Sequence, residues 1–453
     1  MDILLNKNWR CFMEQLMFLE EAREIPVIGN VDVLVLGGGP AGVGAAVAAA
    51  REGAAVMLIE QTGDVGGVAT SGMMSHWTGG SRGGLYEEIL DRSCDVRETD
   101  GGGPANRQTI HTERLKTALL DMLSEARVSL LLYTFACEPI LEGSALKGVI
   151  IENKSGRQAV FSKIVIDATG DGDLAARAGV PFVIGREEDG VMQPATIMFK
   201  VGGVDYDRAV FPKKFEDYIQ VPKGEIQALG HKHLPFPAGH VLLYPTTLPG
   251  VVTCNMTNCI GIDGTQAEDL VKATVVCRKQ LDSIIRFLRH YVPGYENCFL
   301  LASAPFLGIR ETRHFKGVKT ITEEDIREAR IFEDWAVTYA SFNFDVHNTT
   351  GAGLDKTGEQ AAFRATFYTI PYGCLIPQGI DRLLLAGRNI SGTHMAHSNY
   401  RAMPICVHTG QAAGTAAALC AQKNLSPRSL DVNLLQKRLL ANGVLPVSEP
   451  SCP

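Results

Sequence analysis

Residues 31–36 (VDVLVL) form an almost unbroken apolar run, the pattern of a strand buried on both faces of a parallel sheet. The small and apolar residues of 43–51 predict a helix, and 55–59 a second strand, which together make one strand–helix–strand unit. Leu115, Leu119, Met122 and Leu123 set an apolar stripe along a helix over residues 112–127. Strands are predicted next at 128–135, 147–152 and 164–168. After Pro181 the pattern loosens, and prolines, glycines and aromatics recur without another such unit until residue 370. A short buried strand at 383–386, a helix at 404–422 and an amphipathic helix at 430–440 then complete the pattern. Ahead of the first strand, Phe12, Leu16 and Leu19 lie at helical spacing before Pro26. They predict an amphipathic leader that packs on the body or on a second subunit, an arrangement compatible with a homo-oligomer.

The chain therefore divides into a leader (1–27), the first part of an α/β domain (28–180), an α+β insert (181–369) and the second part of the α/β domain with its C-terminal helix (370–453). Residues 33–50 are uncharged and long enough to suggest a membrane span. The sequence Gly37-Gly38-Gly39-Pro40-Ala41-Gly42 would break such a helix in its middle, so a strand, a turn and a helix fit better. No charged region with a small-residue cleavage site precedes this run, and a cytoplasmic location is expected. The net charge of −7 argues against a nucleic-acid or anionic-membrane surface. Eleven cysteines without a CxxC pair fit free thiols in a reducing compartment.

Gly37, Gly39 and Gly42 make a G-x-G-x-x-G turn between the first strand and the helix opened by Pro40 and Ala41. The first glycine permits the turn, the second admits a pyrophosphate close to the backbone, and the third lets the helix pack closely. The helix N-terminus then faces the phosphates. Glu60 ends the second strand, where a carboxylate accepts hydrogen bonds from ribose hydroxyls and repels a 2′-phosphate. This unit predicts a bound dinucleotide but does not separate NAD from FAD.

Three further segments carry a resemblance. Asp64-Val65-Gly66-Gly67 with Thr70-Ser71-Gly72 is similar to the second glycine pair of the glutathione-reductase-like flavoprotein superfamily. The stretch from Ile166 to Asp173 resembles that superfamily's "ATG" strand, and Ala386-Gly387-Arg388-Asn389 its late segment along the ribityl chain. Gly387-Arg388 replaces the usual Gly-Asp, a feature of the branch called FAD-dependent oxidoreductases. That branch also shows the stretches seen here as 308–313 (GIRETR) and 397–404 (HSNYRAMP). The resemblance covers roughly residues 24–443. It implies FAD as cofactor and a Rossmann-like FAD-binding domain of the two-dinucleotide (GR2) type, interrupted by an inserted substrate-binding domain. Carried onto this chain, it adds Gly66, Gly67, Thr70, Ala136 and Asp171 to the cofactor contacts of the glycine turn and Glu60. Gly387, Arg388 and Ile405 would meet the flavin half.

The residues themselves support the flavin end. Pro404 suits the first position of a helix, where the free N–H groups of Ile405, Cys406 and Val407 would face a reduced flavin's negative edge. Gly410 and Gly414, four apart, are expected to pack closely against the sheet or the cofactor. His394 and His397 lie in the preceding loop as candidate acid/base groups, either of which could take a substrate proton as hydride leaves for flavin N5. Arg401 could pair with flavin O2 or a substrate carboxylate. Arg310 and Arg313 could clamp an anionic or hydroxyl-rich substrate, or form salt bridges with Glu311, Glu323, Glu324 or Asp325. His76, His240 and Tyr244 are further pocket candidates.

No metal site is expected, because no carboxylate or thiol close by completes a ligand set with His394 and His397. A second G-x-G-x-x-G is absent, so a separate electron acceptor or donor is expected to restore the flavin. The expected activity is hydride exchange between flavin N5 and a small polar metabolite: an alcohol or sugar-like compound, an amine or an unsaturated acid. A flavin-dependent isomerase or dehydratase without net redox change, and a non-catalytic FAD-binding protein, are the alternatives.

Overall fold

The computed structural model of the protein describes residues 18–97, 108–215, 217–355 and 366–447. Of the expected leader helix, Phe12 and Leu16 lie outside the described residues. Leu19 is exposed in an irregular stretch that runs to the first strand, so residues 18–26 are not helical.

The first strand, Val27–Leu36, pairs in parallel with Val56–Ile59 on one side and Gly156–Asp167 on the other. Ser129–Leu131 extends the parallel ladder beyond Val56–Ile59, and Leu383–Leu385 joins the far end of Gly156–Asp167. Ala145–Asn153 and Phe135–Glu142 add two antiparallel strands, completing a sheet of seven. Val33 to Leu36 and Ile164 to Ile166 are fully buried, which accounts for their unbroken apolar sequence.

Helix Pro40–Arg51 packs along helix Met403–Lys423 at backbone distance. A Cβ on Gly410 would lie 2.0 Å from the Ala41 carbonyl oxygen, and one on Gly414 would lie 2.1 Å from that of Ala45. These glycines therefore serve helix-to-helix contact, in place of the expected packing on the sheet or cofactor. Pro404 occupies the second position of its helix, one later than expected, and the Cys406 N–H donates to the Ala402 carbonyl at 2.9 Å. Cys406 and Val407 are thus already inside the hydrogen-bonded helix, while Ile405 stays in the turn where N–H groups lack helical acceptors.

A second core lies between residues 199 and 298. Its antiparallel sheet runs Leu243–Pro245, Val252–Cys254, Phe199–Gly202, Phe299–Ser303, and the helix Ala267–Tyr291 packs there through Leu281, Ile284 and Leu288. Strand Trp335–Ala340 pairs with Tyr368–Pro371, and Ala336, Val337 and Ala340 belong to the first core. Among the described residues, no helix is long and apolar enough to cross a membrane.

Candidate functional site

The glycine turn follows from tight backbone contacts. Gly37 has φ +88°, and a Cβ there would lie 2.5 Å from the Ala168 carbonyl oxygen. A Cβ on Gly42 would sit 1.7 Å from the Gly37 oxygen. Gly39 differs: a Cβ there meets nothing within 4 Å. It is the N-cap residue of the helix that Pro40 opens, so this open space faces a helix N-terminus. The second glycine pair closes one side, since the Gly66 N–H donates to the Gly38 carbonyl at 2.6 Å. A Cβ on Gly67 would lie 3.3 Å from Gly39 Cα. Thr70 Oγ1 donates to the Val65 carbonyl at 2.6 Å and so fixes that loop without facing the open space.

Glu60 accepts from the Gly38 N–H at 2.6 Å and the Thr62 N–H at 2.7 Å, one on each oxygen. Each oxygen retains a lone pair for a further donor. The Thr134 N–H donates to the Glu60 carbonyl at 3.0 Å, which brings Ala136, two residues on, to this end of the sheet. The Ala136 carbonyl accepts from Arg177 Nη1 at 3.1 Å.

At the other end, a Cβ on Gly387 would lie 3.0 Å from the Ala41 Cβ, and the Gly387 N–H donates to Thr409 Oγ1 at 3.0 Å. Arg388 Nη2 donates to Asp171 Oδ1 at 3.1 Å, whereas Arg388 Nη1 is buried without a partner among the described residues. Asn389 donates to the Asp167 carbonyl at 3.0 Å, and its Oδ1 is likewise unpartnered. Asp167 is fully buried, and burial pushes its carboxyl up; it accepts from the Thr169 hydroxyl and the Ala175 N–H. The open space at Gly39, the spare capacity of Glu60 and the unpartnered groups of Arg388 and Asn389 fit an elongated dinucleotide. The adenosine half suits the Glu60 end and the second half suits Gly387.

Over residues 32–439 the chain matches the family described as FAD dependent oxidoreductase. The chain belongs to that family. This oxidoreductase is therefore an enzyme with FAD as its cofactor. No curated protein matches its sequence. Among solved structures, it is similar to a geranylgeranyl bacteriochlorophyll reductase-like protein from Thermoplasma acidophilum, with 15% identity, 91% of this chain and 83% of that chain covered, and a TM-score of 0.48. It is also similar to a p-nitrophenol 4-monooxygenase from Pseudomonas putida, with 11% identity, 92% and 89% covered, and a TM-score of 0.48.

In this FAD dependent oxidoreductase, His394 opens the short helix His394–Tyr400, capped by the Thr393 hydroxyl, which accepts from the Ala396 N–H. Its Nδ1 lies 2.5 Å from Glu311 Oε1, and the same oxygen lies 2.8 Å from His314 Nε2. The Gln193 N–H donates to Glu311 Oε2 at 3.0 Å. Burial would raise the Glu311 carboxyl, but the His314 and His394 bonds outweigh it and hold the group well below the usual carboxylate range. His394 moves up: burial opposes its charge, and the Glu311 bond and charge overcome it.

His397, one turn along, does not join this pair. Its ring meets His314 edge-on at 4.8 Å, and its Nδ1 is buried without a partner among the described residues. Burial first, and the neighbouring His314 second, push it well below the usual range. The expectation that no carboxylate accompanies these histidines is corrected: Glu311 completes a group with His314 and His394, their ligand atoms all within 4.8 Å. Eighty-three positions separate Glu311 from His394, so local spacing could not reveal it.

The arginines also differ from expectation. Arg401 Nη2 donates to Asp345 Oδ2 at 2.8 Å, so a protein carboxylate already engages it. Arg313 donates to Asp173 Oδ1 and to the Asp171 carbonyl, both at 2.8 Å, in place of the acidic residues near 323–325. Among the described residues, Arg310 bonds only the Pro194 carbonyl, at 2.6 Å, and pairs with none of the expected carboxylates. Asp345 also lies 3.4 Å from His347 Nε2. Phe215 sets its ring edge-on to His240 and His347, at 5.0 and 5.3 Å. His76 is buried against Tyr244, with ring centroids 4.7 Å apart. The sequence reading missed Asp345 and His347. Residues 342–346 form no strand, so no periodicity marked the two in the sequence.

Proposed function

We propose that this oxidoreductase exchanges a hydride with a small polar metabolite, using His394 as the proton-handling group. The observation that carries this reading is the pairing of His394 Nδ1 with Glu311, which among the described residues leaves His394 Nε2 without a hydrogen bond. A carboxylate on Nδ1 fixes the ring and its tautomer, so the neutral ring keeps its proton at Nδ1 and exchanges a proton at Nε2. FAD, when bound, supplies two-electron chemistry at flavin N5. His394 Nε2 takes the proton of a substrate hydroxyl in oxidation and returns it in reduction, with Glu311 as a positioning residue. His397, held neutral, excludes a second charge from the site.

The same reading assigns residues 28–180 and 370–453 to a GR2-type cofactor domain and residues 181–369 to a substrate-binding insert. The separate core between residues 199 and 298 supports that division. Gly39, Glu60 and Gly67 would hold the pyrophosphate and ribose, and Arg388 and Ile405 would meet the flavin half. Arg310 and Arg401 anchor the substrate. A separate electron partner restores the flavin, and the cytoplasm is the proposed compartment.

The test is anaerobic titration of the purified holoenzyme with a metabolite panel, following the flavin absorbance. Bleaching by one member, lost in His394→Ala with FAD retained, is the expected result. Bleaching at an unchanged rate in that variant removes His394 from the mechanism.

A further inference from the structure

Arg310 is 8% exposed and makes one hydrogen bond, to a backbone carbonyl; among the described residues it has no ion pair. A guanidinium carries five N–H donors, so most of this group's capacity is unused. Its chain neighbour Glu311 does not serve it: that carboxylate bonds His394, His314 and the Gln193 amide, and among the described residues it makes no ion pair with Arg310. The charge next to Arg310 is another guanidinium, Arg401, and the carboxylate that opposes them, Asp345, bonds Arg401. Two cations thus share one anion in a buried region. Burial and the adjacent arginine pull Arg310 down to about 10. His347 and His240, pushed by burial to about 4 and about 3, stay neutral and add no further positive charge. A buried charge without a partner is strongly disfavoured, so one negative charge is missing here.

We propose that Arg310, supported by Arg401, clamps the carboxylate of the substrate, so the metabolite is a small carboxylic acid. A carboxylate supplies one unit of negative charge and matches the planar fork of donors, whereas a phosphate brings closer to two units. This rests on the proposed redox reading, because it names the substrate class for that same site. Arg310 and Glu311 are adjacent in the chain, and Arg401 ends the helix that His394 begins. One short segment and one short helix thereby carry both the clamp and the proton-handling pair.

The test uses the FAD-loaded enzyme and calorimetric titration with acetate, pyruvate and oxalate, against acetamide, methyl pyruvate and inorganic phosphate. Binding of a carboxylate with no heat from its uncharged counterpart is expected, with affinity lowered about 10- to 100-fold in Arg310→Met and partly restored in Arg310→Lys. Equal binding of acid and ester, or tighter binding of phosphate, overturns the clamp. The ligand panel on the unaltered enzyme decides this even if a variant fails to fold. Carboxylates that bind while no acid ever bleaches the flavin would leave the clamp standing and remove the redox reading. Bleaching by uncharged alcohols alone would do the reverse.

Discussion

Glu311 Oε1 lies 2.5 Å from His394 Nδ1, and the same oxygen holds His314 at 2.8 Å. One buried carboxylate thus orients two imidazoles, and its second oxygen is fixed by the Gln193 amide. The consequence for His394 is a raised affinity for its proton and a ring that presents Nε2.

Replacing that carboxylate separates positioning from proton transfer. In Glu311→Gln the charge that raises His394 is gone, so its ionisation moves toward lower pH. Substrate-driven flavin reduction is expected to slow at least about 10-fold, with its pH limb displaced to lower pH. Stopped-flow reduction across a pH series measures both. A slower rate on an unshifted limb would mean that Glu311 serves the fold and not His394.

Gly39 yields the sharpest test of the cofactor cradle. Its Cβ position is open, so Gly39→Ala is compatible with the fold, unlike Gly37→Ala or Gly42→Ala, which meet backbone at 2.5 and 1.7 Å. The added methyl would occupy the pyrophosphate approach, and Gly39→Glu would add a like charge. Gly39→Ala should fold with weakened FAD retention, and Gly39→Glu should be colourless with unchanged far-UV circular dichroism. Full flavin absorbance in Gly39→Glu would place the pyrophosphate elsewhere.

The glycine turn and the acidic end of its second strand were legible because their information is local. Gly37, Gly39, Gly42 and Glu60 fall within one strand–helix–strand unit, where chain geometry dictates residue type at each position. The Glu311–His394 and Asp345–Arg401 pairings were not, since the first two are 83 positions apart and the second two 56 apart. No spacing rule links such pairs. Arg401 was assigned to flavin or substrate from its place before a helix N-terminus, and only the fold reveals Asp345 beside it. The helix Ala267–Tyr291 is a different case. Ala273, Cys277, Leu281, Ile284 and Leu288 recur every three or four positions, a helical period that the sequence reading missed in this region.

The contact between the first and late helices predicts a stability cost that helix propensity alone would get wrong. Glycine to alanine in a helix interior ordinarily gains about 1 kcal/mol. At Gly410 and Gly414 the new methyl meets the Ala41 and Ala45 carbonyl oxygens at 2.0 and 2.1 Å, so the helices must part. Each alanine variant should lose about 1–3 kcal/mol, as overpacked cores do, and the double variant should lose FAD as well. Thermal unfolding of the apo and loaded forms measures this. A raised Tm in either single variant would show that the helices sit further apart.

Acid should destabilise this enzyme well before its carboxylates protonate. His347 and His408 are pushed down to about 4 and His240 to about 3, burial being the first cause in each, and His397 falls well below its usual range for the same reason. In the unfolded chain these groups titrate near 6.5. Below that pH the unfolded state binds protons that the folded state refuses, so the contribution to stability is complete above 6.5 and is lost as pH falls through about 4. Each group contributes a slope of about 1.4 kcal/mol per pH unit inside that window. His394 has the opposite sign. Its folded affinity is raised, so its contribution is complete below 6.5 and fades as pH rises through the folded value. With four groups against one, Tm should fall steeply from pH 6.5 to 5 and only weakly on the alkaline side. His408, whose Nε2 is buried without a partner, is the cleanest probe, because it sits in the late helix away from the proton-handling pair. His408→Gln should flatten the acid slope by about one proton, and an unchanged slope would show that His408 does not set it.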